Sequence, residues 1–237
     1  MKAMIFAAGL GTRMQHMTKD TPKALIEVTG KSVIDHVIEN IVQAGFSDIV
    51  INVHHFAQDI IDHLQDLSLP AKISFSHEKN SPLETGGGLW KMRDFFNNQE
   101  PFLLHNADIL TDLNLAALYT QHLEQKNSIT LAVRDRKSSR KLLFTENKRL
   151  CGRWKAKTKT TDLRWGVPAY RYAFSGVHVL SPEVLQWPVP GERFSIMEAY
   201  LNWCKEHHIG MHTHNQGYWF DIGSPEKWQE AQNFFKK

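Results

Sequence analysis

The 237-residue chain predicts an α/β fold, a mixed, mostly parallel sheet with helices on both faces, interrupted by a basic β-hairpin. Three observations predict it. Strand-length apolar runs alternate with segments of helical apolar spacing. Glycines and polar residues gather where those runs end, as in sheets that bind ligands at their carboxyl edge. Beyond Arg134 the alternation gives way to short strands and turns.

Lys2 to Ala8 is an apolar run that stops at Gly9, the pattern of a buried strand feeding a loop. From Ser32 to Gly45, Val33, Ile34, Val37, Ile38, Ile41 and Val42 keep helical spacing, with Ser32 as N-cap and Gly45 as stop. A strand over Asp48–Val53, a helix over Ala57–Leu67 and a strand over Lys72–Ser76 complete a βαβαβ alternation. A helix over Leu89–Phe96 is expected behind a glycine loop at 86 to 88. Then come a strand over Pro101–His105, a helix over Leu113–Gln125 and a strand over Ser128–Arg134. Residues 134–172 form the insert, with strands at Leu142–Thr145 and Leu150–Trp154 and a polar loop through Arg164. A strand over Ala173–Leu180, a helix over Ser195–His207, a strand over Gly210–His214 and a closing helix over Ser224–Phe235 follow. One domain, 1–237, is expected, with 134–172 as its hairpin or lid.

The formal charge of +3 hides an uneven distribution. Between Arg134 and Arg171 there are 13 Lys or Arg and 3 acids, a balance of +10, against 15 and 22, or −7, elsewhere. Such an insert suits an anionic partner, sugar phosphate or nucleic acid, or is a solvated face. Cys151 and Cys204 have no CxxC spacing and read as free buried thiols. His207, His208, His212 and His214 span a helix end and a strand, a poor arrangement for zinc. Trp187, Trp203 and Trp228 are explained by packing. No apolar run is long enough for a membrane span and no signal peptide is visible, so a cytoplasmic protein without a membrane partner is expected.

Ala8-Gly9-Leu10-Gly11-Thr12-Arg13-Met14 lacks the third glycine of the dinucleotide fingerprint, and no acid follows the second strand to take a ribose hydroxyl. No Gly-Lys-Ser/Thr follows at the spacing of a Walker loop. What remains is a glycine loop flanked by Arg13 and, in Thr21-Pro22-Lys23, by a lysine. Backbone N–H groups freed by the glycines can wrap a triphosphate, the arginine fork can grip two oxygens, and Lys23 adds a point charge. A plain tight turn would explain the glycines but not the two cations.

These residues carry a resemblance. AAGLGTRM followed by TPKALIEVTGKSVIDH is similar to the signature of the sugar-phosphate nucleotidyltransferases, and in particular of the short N-acetylmuramate 1-phosphate uridylyltransferases and mannose-1-phosphate guanylyltransferase-like proteins. The resemblance implies a Rossmann-like domain of the nucleotide-diphospho-sugar transferase fold. It places the triphosphate on Ala8, Gly9, Gly11, Thr12, Arg13 and Lys23, with UTP as the favoured donor and GTP as the alternative. Leu83 to Gly88 resembles the family's base-binding segment, which gives Thr85 and Gly86 the base. Asp108 and Asp221, both at strand ends, take the role of the family's metal-holding aspartates, and Mg²⁺ is the implied cofactor. The chain reads Asn106-Ala107-Asp108 where the family has Gly-Asp, which leaves Asp112, or a capping role for Asp108, as alternatives.

The catalytic set implied is Arg13, Lys23, Asp108 and Asp221. A sugar 1-phosphate oxygen would attack the α-phosphorus while pyrophosphate leaves, with neither a protein nucleophile nor a general base. The acceptor is expected beside Asn106 and the strand Phe174-Ser175-Gly176-Val177-His178, on Ser175 and Gly176, its phosphate held by Arg134, Arg164 or Arg171. Two further readings stand beside this one: transfer to a non-sugar phosphate such as phosphocholine, and a nucleotide or nucleic-acid-binding module without turnover. The length leaves no room for a left-handed helical second domain, so no acetyltransferase activity is expected.

Overall fold

The computed structural model describes every residue except 10, 12, 13, 15, 16, 20, 98 and 237. β1 (Lys2–Phe6) lies at the heart of a ten-stranded sheet, parallel on one side to β4 (Asp48–Val53) and on the other to β6 (Phe102–Asn106). β5 (Lys72–His77) extends the parallel half beyond β4. On the far side of β6 the sheet turns antiparallel through β12 (Tyr170–Leu180), which also pairs β8 (Ile129–Arg134) and β9 (Arg140–Phe144). β13 (Ile209–Thr213) runs parallel to β8. The sheet is mixed, with its parallel part under the glycine loop.

Helices cover both faces because each carries one apolar stripe. α1 (Val33–Gln43) buries Val33, Ile34, Val37, Ile38 and Ile41, and Ser32 Oγ accepts from the Asp35 amide at its start. With α2 (Ala57–Gln65), α4 (Leu115–Gln125) and α6 (Pro225–Phe235) it contributes to one core, around Ile5, Phe46 and Leu103. α3 (Glu84–Lys91) and α5 (Ile196–Trp203) close the other face around Met4, Leu104 and Tyr200.

Several boundaries differ from the sequence expectation. The glycines at 86 to 88 are not a loop: they lie inside α3, and the segment expected as helix continues only as a 3-10 turn over Arg93–Phe96. A Cβ at Gly86 would lie 2.2 Å from Phe194 Cε2 and one at Gly87 2.1 Å from the Glu192 carbonyl, so the helix seats itself against 192–194 only because it has no side chains there. α5 ends four residues before His207, and Ser195 makes no capping bond. The insert holds three strands, β9, β10 (Leu150–Lys155) and β11 (Thr160–Leu163), which continue the main sheet through β12. β11 falls where the sequence predicts a loop, because its residues, Thr-Thr-Asp-Leu, show no apolar alternation and are mostly exposed.

Two short pairs escape sequence reading. β2 (Glu27–Val28) meets β3 (Lys31–Ser32), and β7 (Ile109–Thr111) pairs antiparallel with β14 (Trp219–Asp221). Two or three residues are too few for any period to show. Among the described residues no helix is long and apolar enough to cross a membrane.

Candidate active site

β1, β4 and β6 end at a cavity of about 480 Å³ walled by Ala8, Gly9, Gly11, Lys23, Asn52, Glu78, Thr85, Asn106, Asp108 and Arg193, among others. Ala8, Gly9, Gly11 and Lys23 are thus together, as the loop reading requires; Thr12 and Arg13 lie outside the described residues. Gly11 has φ +63° and its carbonyl accepts from Thr18 Oγ1, so turn geometry explains it. Gly9 is different. Its φ is not positive and no described residue lies within 4 Å of where a Cβ would project, so neither φ nor packing among the described residues demands glycine there.

Lys23 stands at the start of a 3-10 turn after Pro22, and its Nζ contacts Asp108 Oδ2 across 85 residues of sequence. Asp108 lies between β6 and β7. The register of β7 with β14 sets Asp221 opposite Ile109, and the Ile222 amide donates to the Asp108 carbonyl at 2.8 Å, so the two aspartates are neighbours. Asp221 is 2.7 Å from Lys227 Nζ of α6 and does not wall the main cavity itself. The carboxylates of these neighbouring residues, 27% and 22% exposed and each matched by a lysine ammonium group, are hard oxygen donors of the kind a hexahydrate-forming divalent ion accepts alongside phosphate and water. Asp112 is elsewhere: one of its oxygens accepts from the Tyr218 amide, and it faces another cavity.

The floor holds a network without a sequence signal. Glu78, 2% exposed, accepts from Asn52 Nδ2 (2.7 Å) and from the Leu83 amide (2.7 Å), while Asn52 Oδ1 accepts from the Ala7 amide. Both carboxylate oxygens are therefore engaged, and the network ties β1, β4 and the entry to α3 into one rigid floor. A Cβ at Gly88 would strike Asn52 and Glu78, which explains the third glycine of the run. Gly86 does not reach the cavity: its N–H donates to the Phe194 carbonyl at 2.9 Å. Thr85 does, with its Oγ1 accepting from the Ile196 amide. Arg193, 3.6 Å from Glu84, adds a cation at the rim.

A second cavity of about 310 Å³ adjoins the first through Phe6, Thr85 and Asn106. Of the insert, it is Ser138, Ser139, Arg140, Leu142 and Arg153 that line it, together with Phe174, His178 and Glu198. The arginines favoured from sequence are occupied elsewhere. Arg134 donates to the Gln216 and Gly217 carbonyls, Arg164 is held by Asp162 and Asn202, and Arg171 lies over the Trp154 ring. Arg153 is pinned by Glu198 at 2.5 Å and Asp162 at 3.4 Å; Arg140 carries no ion pair among the described residues. Ser175 is fully buried, its Oγ 2.7 Å from His214 Nε2, and the space beside Gly176 (φ +80°) is filled by Ile109 and Asn106. Asn106 therefore lines both cavities, and the strand expected beside the acceptor reaches the second one through Phe174 and His178 rather than through Ser175 or Gly176. Arg136, unremarked in the sequence, stacks 3.8 Å over Trp219 and donates to the Phe174 carbonyl. Burial lowers its pKa and the nearby Asp221 opposes that.

The remaining side chains singled out earlier are structural. Cys151 and Cys204 are free and buried, and burial pushes both thiols up to about 11. His207 stacks on Trp187, and His212 Nδ1 bonds Gln121 Oε1.

A glycine loop at the carboxyl edge of a parallel half-sheet, a lysine and paired carboxylates define a nucleotide-binding α/β protein of the phosphate-transfer kind. The chain belongs to the nucleotidyl transferase family, whose model matches residues 2–237. It is 31% identical over 235 residues to an N-acetylmuramate alpha-1-phosphate uridylyltransferase of Neisseria meningitidis, with 98% of this chain and 97% of that one aligned. A protein of the same description from Caulobacter vibrioides is 48% identical over 90 residues, a match that spans 37% of either chain. The HddC crystal structure from Yersinia pseudotuberculosis superposes with a TM-score of 0.79 at 22% identity over 99% of both chains, a likeness of fold.

Proposed function

We propose that this protein transfers a nucleoside monophosphate from a nucleoside triphosphate to a sugar 1-phosphate, forming a nucleotide sugar and pyrophosphate, with UTP as favoured donor. The contact of Lys23 with Asp108 carries the reading: inside one cavity it joins the glycine loop to a strand-end carboxylate, the neighbour of Asp221. Gly9 supports it. A glycine that neither φ nor the described neighbours require is accounted for by a ligand that must approach the main chain.

In this reading the triphosphate lies along Ala8 to Gly11 with its base over Thr85 and the Asn52–Glu78 floor. The sugar occupies the adjoining cavity, so its phosphate oxygen faces the α-phosphorus between the two, beside Asn106. Lys23 and Arg13 neutralise the transferring phosphates and orient them. A sugar phosphate is already ionised at pH 7, so no side chain need take its proton. Asp108 and Asp221 would hold Mg²⁺, which supplies charge neutralisation for the leaving pyrophosphate. Arg140, which lines the second cavity without an ion pair among the described residues, takes the place given to the insert's other arginines in facing the acceptor. The N-acetylmuramate 1-phosphate used by the two uridylyltransferase relatives is the first acceptor to test.

Pyrophosphate release from UTP, Mg²⁺ and sugar 1-phosphate tests the reading. Lys23→Ala and Asp108→Ala should each lower turnover by about a hundredfold or more. An Asp108→Ala protein with wild-type turnover would overturn the site.

A further inference from the structure

A third cavity, of about 340 Å³, opens behind β7 and shares no lining residue with the 480 Å³ cavity. We propose that it is a second ligand site, one that takes a small organic ammonium ion such as a protonated amino sugar. The argument starts at His105, which lines it. This side chain is 1% exposed, and its Nδ1 lies 2.8 Å from the Asn106 carbonyl, an acceptor only, so Nδ1 carries the proton. Nε2 is left as a bare lone pair, and it has no partner among the described residues. A buried acceptor without a donor is unfavourable, and a donating ligand would relieve it.

The rest of the wall has the same character. His36 Nε2 bonds the Val28 carbonyl at 3.1 Å, which leaves its Nδ1 an acceptor as well. Asp112 keeps one carboxylate oxygen without a hydrogen-bond partner among the described residues once the Tyr218 amide is satisfied, and Glu39, half exposed, pairs with Lys31. The His36 ring stacks with Phe235, and Tyr218 packs against that same phenylalanine. Lone pairs, two carboxylates and aromatic rings together suit a cation that bears N–H donors. They repel a phosphate or a nucleotide. The volume admits a hexosamine.

Position gives the site a consequence. Ile109, Leu110 and Thr111 line this cavity and form the whole of β7, whose partner β14 ends at Asp221. An occupant would brace the strand pair next to both aspartates.

Titration calorimetry and hydrogen exchange on the full chain with glucosamine test the proposal, with glucose as the uncharged ring of the same size. We expect saturable glucosamine binding at neutral pH, slowed exchange over 105–112 and 219–221, and glucose weaker by at least about tenfold. Asp112→Asn should cost a similar factor. Glu39→Gln, on the exposed side of α1, serves as a second variant whose fold is secure and should weaken binding in the same direction. Equal affinity for glucose, no saturable binding, or slowed exchange confined to the glycine-loop cavity would each overturn it.

Discussion

Lys23 and Asp108 are 85 positions apart, yet both were legible. Each sits where a local signal exists, a cation trailing a glycine loop and an acid ending an apolar strand. Glu78, Asn52, Arg140 and Arg193 were not, because each is an ordinary polar residue whose meaning comes from what a distant segment brings to it. Gly9 and Gly11 looked alike in sequence and differ in kind. Gly11 needs its positive φ, whereas a Gly9→Ala protein should fold normally, keep its denaturation midpoint and bind UTP at least about tenfold more weakly. Isothermal titration beside a urea melt separates the two effects. For the acceptor, Arg140→Ala should raise KM for the sugar phosphate by about tenfold with kcat nearly unchanged, as expected for binding felt equally in ground and transition states. Arg171→Ala, whose side chain lies over Trp154, should leave KM alone.

At the scale of elements, periodicity predicted the long helices and strands and failed where length or packing decided. α3 is the clearest case. Three consecutive glycines read as loop because they lower helix propensity, but the close seat against Phe194 and Glu192 overrides propensity. Gly86→Ala should therefore destabilise the protein by about 1–3 kcal/mol, or more if Phe194 cannot yield, although alanine is the better helix former. A denaturant titration checks the sign. The β7–β14 pair was invisible for the opposite reason: three residues a side carry no pattern, yet this ribbon sets Asp221 beside Asp108. In the insert, the hairpin strands were foreseen while β11 and the choice of arginine were not. Which cation of a basic run faces inward depends on strand register.

The whole molecule holds its two halves together along β6 and β12, and buried histidines line that seam. Burial lowers His105 to about 4 and His178 to about 3. Both bind fewer protons folded than unfolded, so their contribution is complete above the unfolded value of about 6.5 and is lost as pH falls from there toward about 4 for His105 and about 3 for His178. Thermal melts should show a steep fall in Tm across that window, and a His178→Phe variant should flatten it. An unchanged slope would show that other groups govern acid stability. The central claim concerns the joint of loop and carboxylates. Its most direct test is the formation of nucleotide sugar and pyrophosphate from four nucleoside triphosphates and a panel of sugar 1-phosphates with Mg²⁺, run on the wild type and on Asp108→Ala and Asp221→Ala. The account predicts stoichiometric nucleotide sugar and pyrophosphate from the wild type, fastest with UTP, and near-complete loss in both variants with the fold intact. Product from neither UTP nor GTP with any sugar phosphate, or variants that turn over as the wild type does, would contradict it.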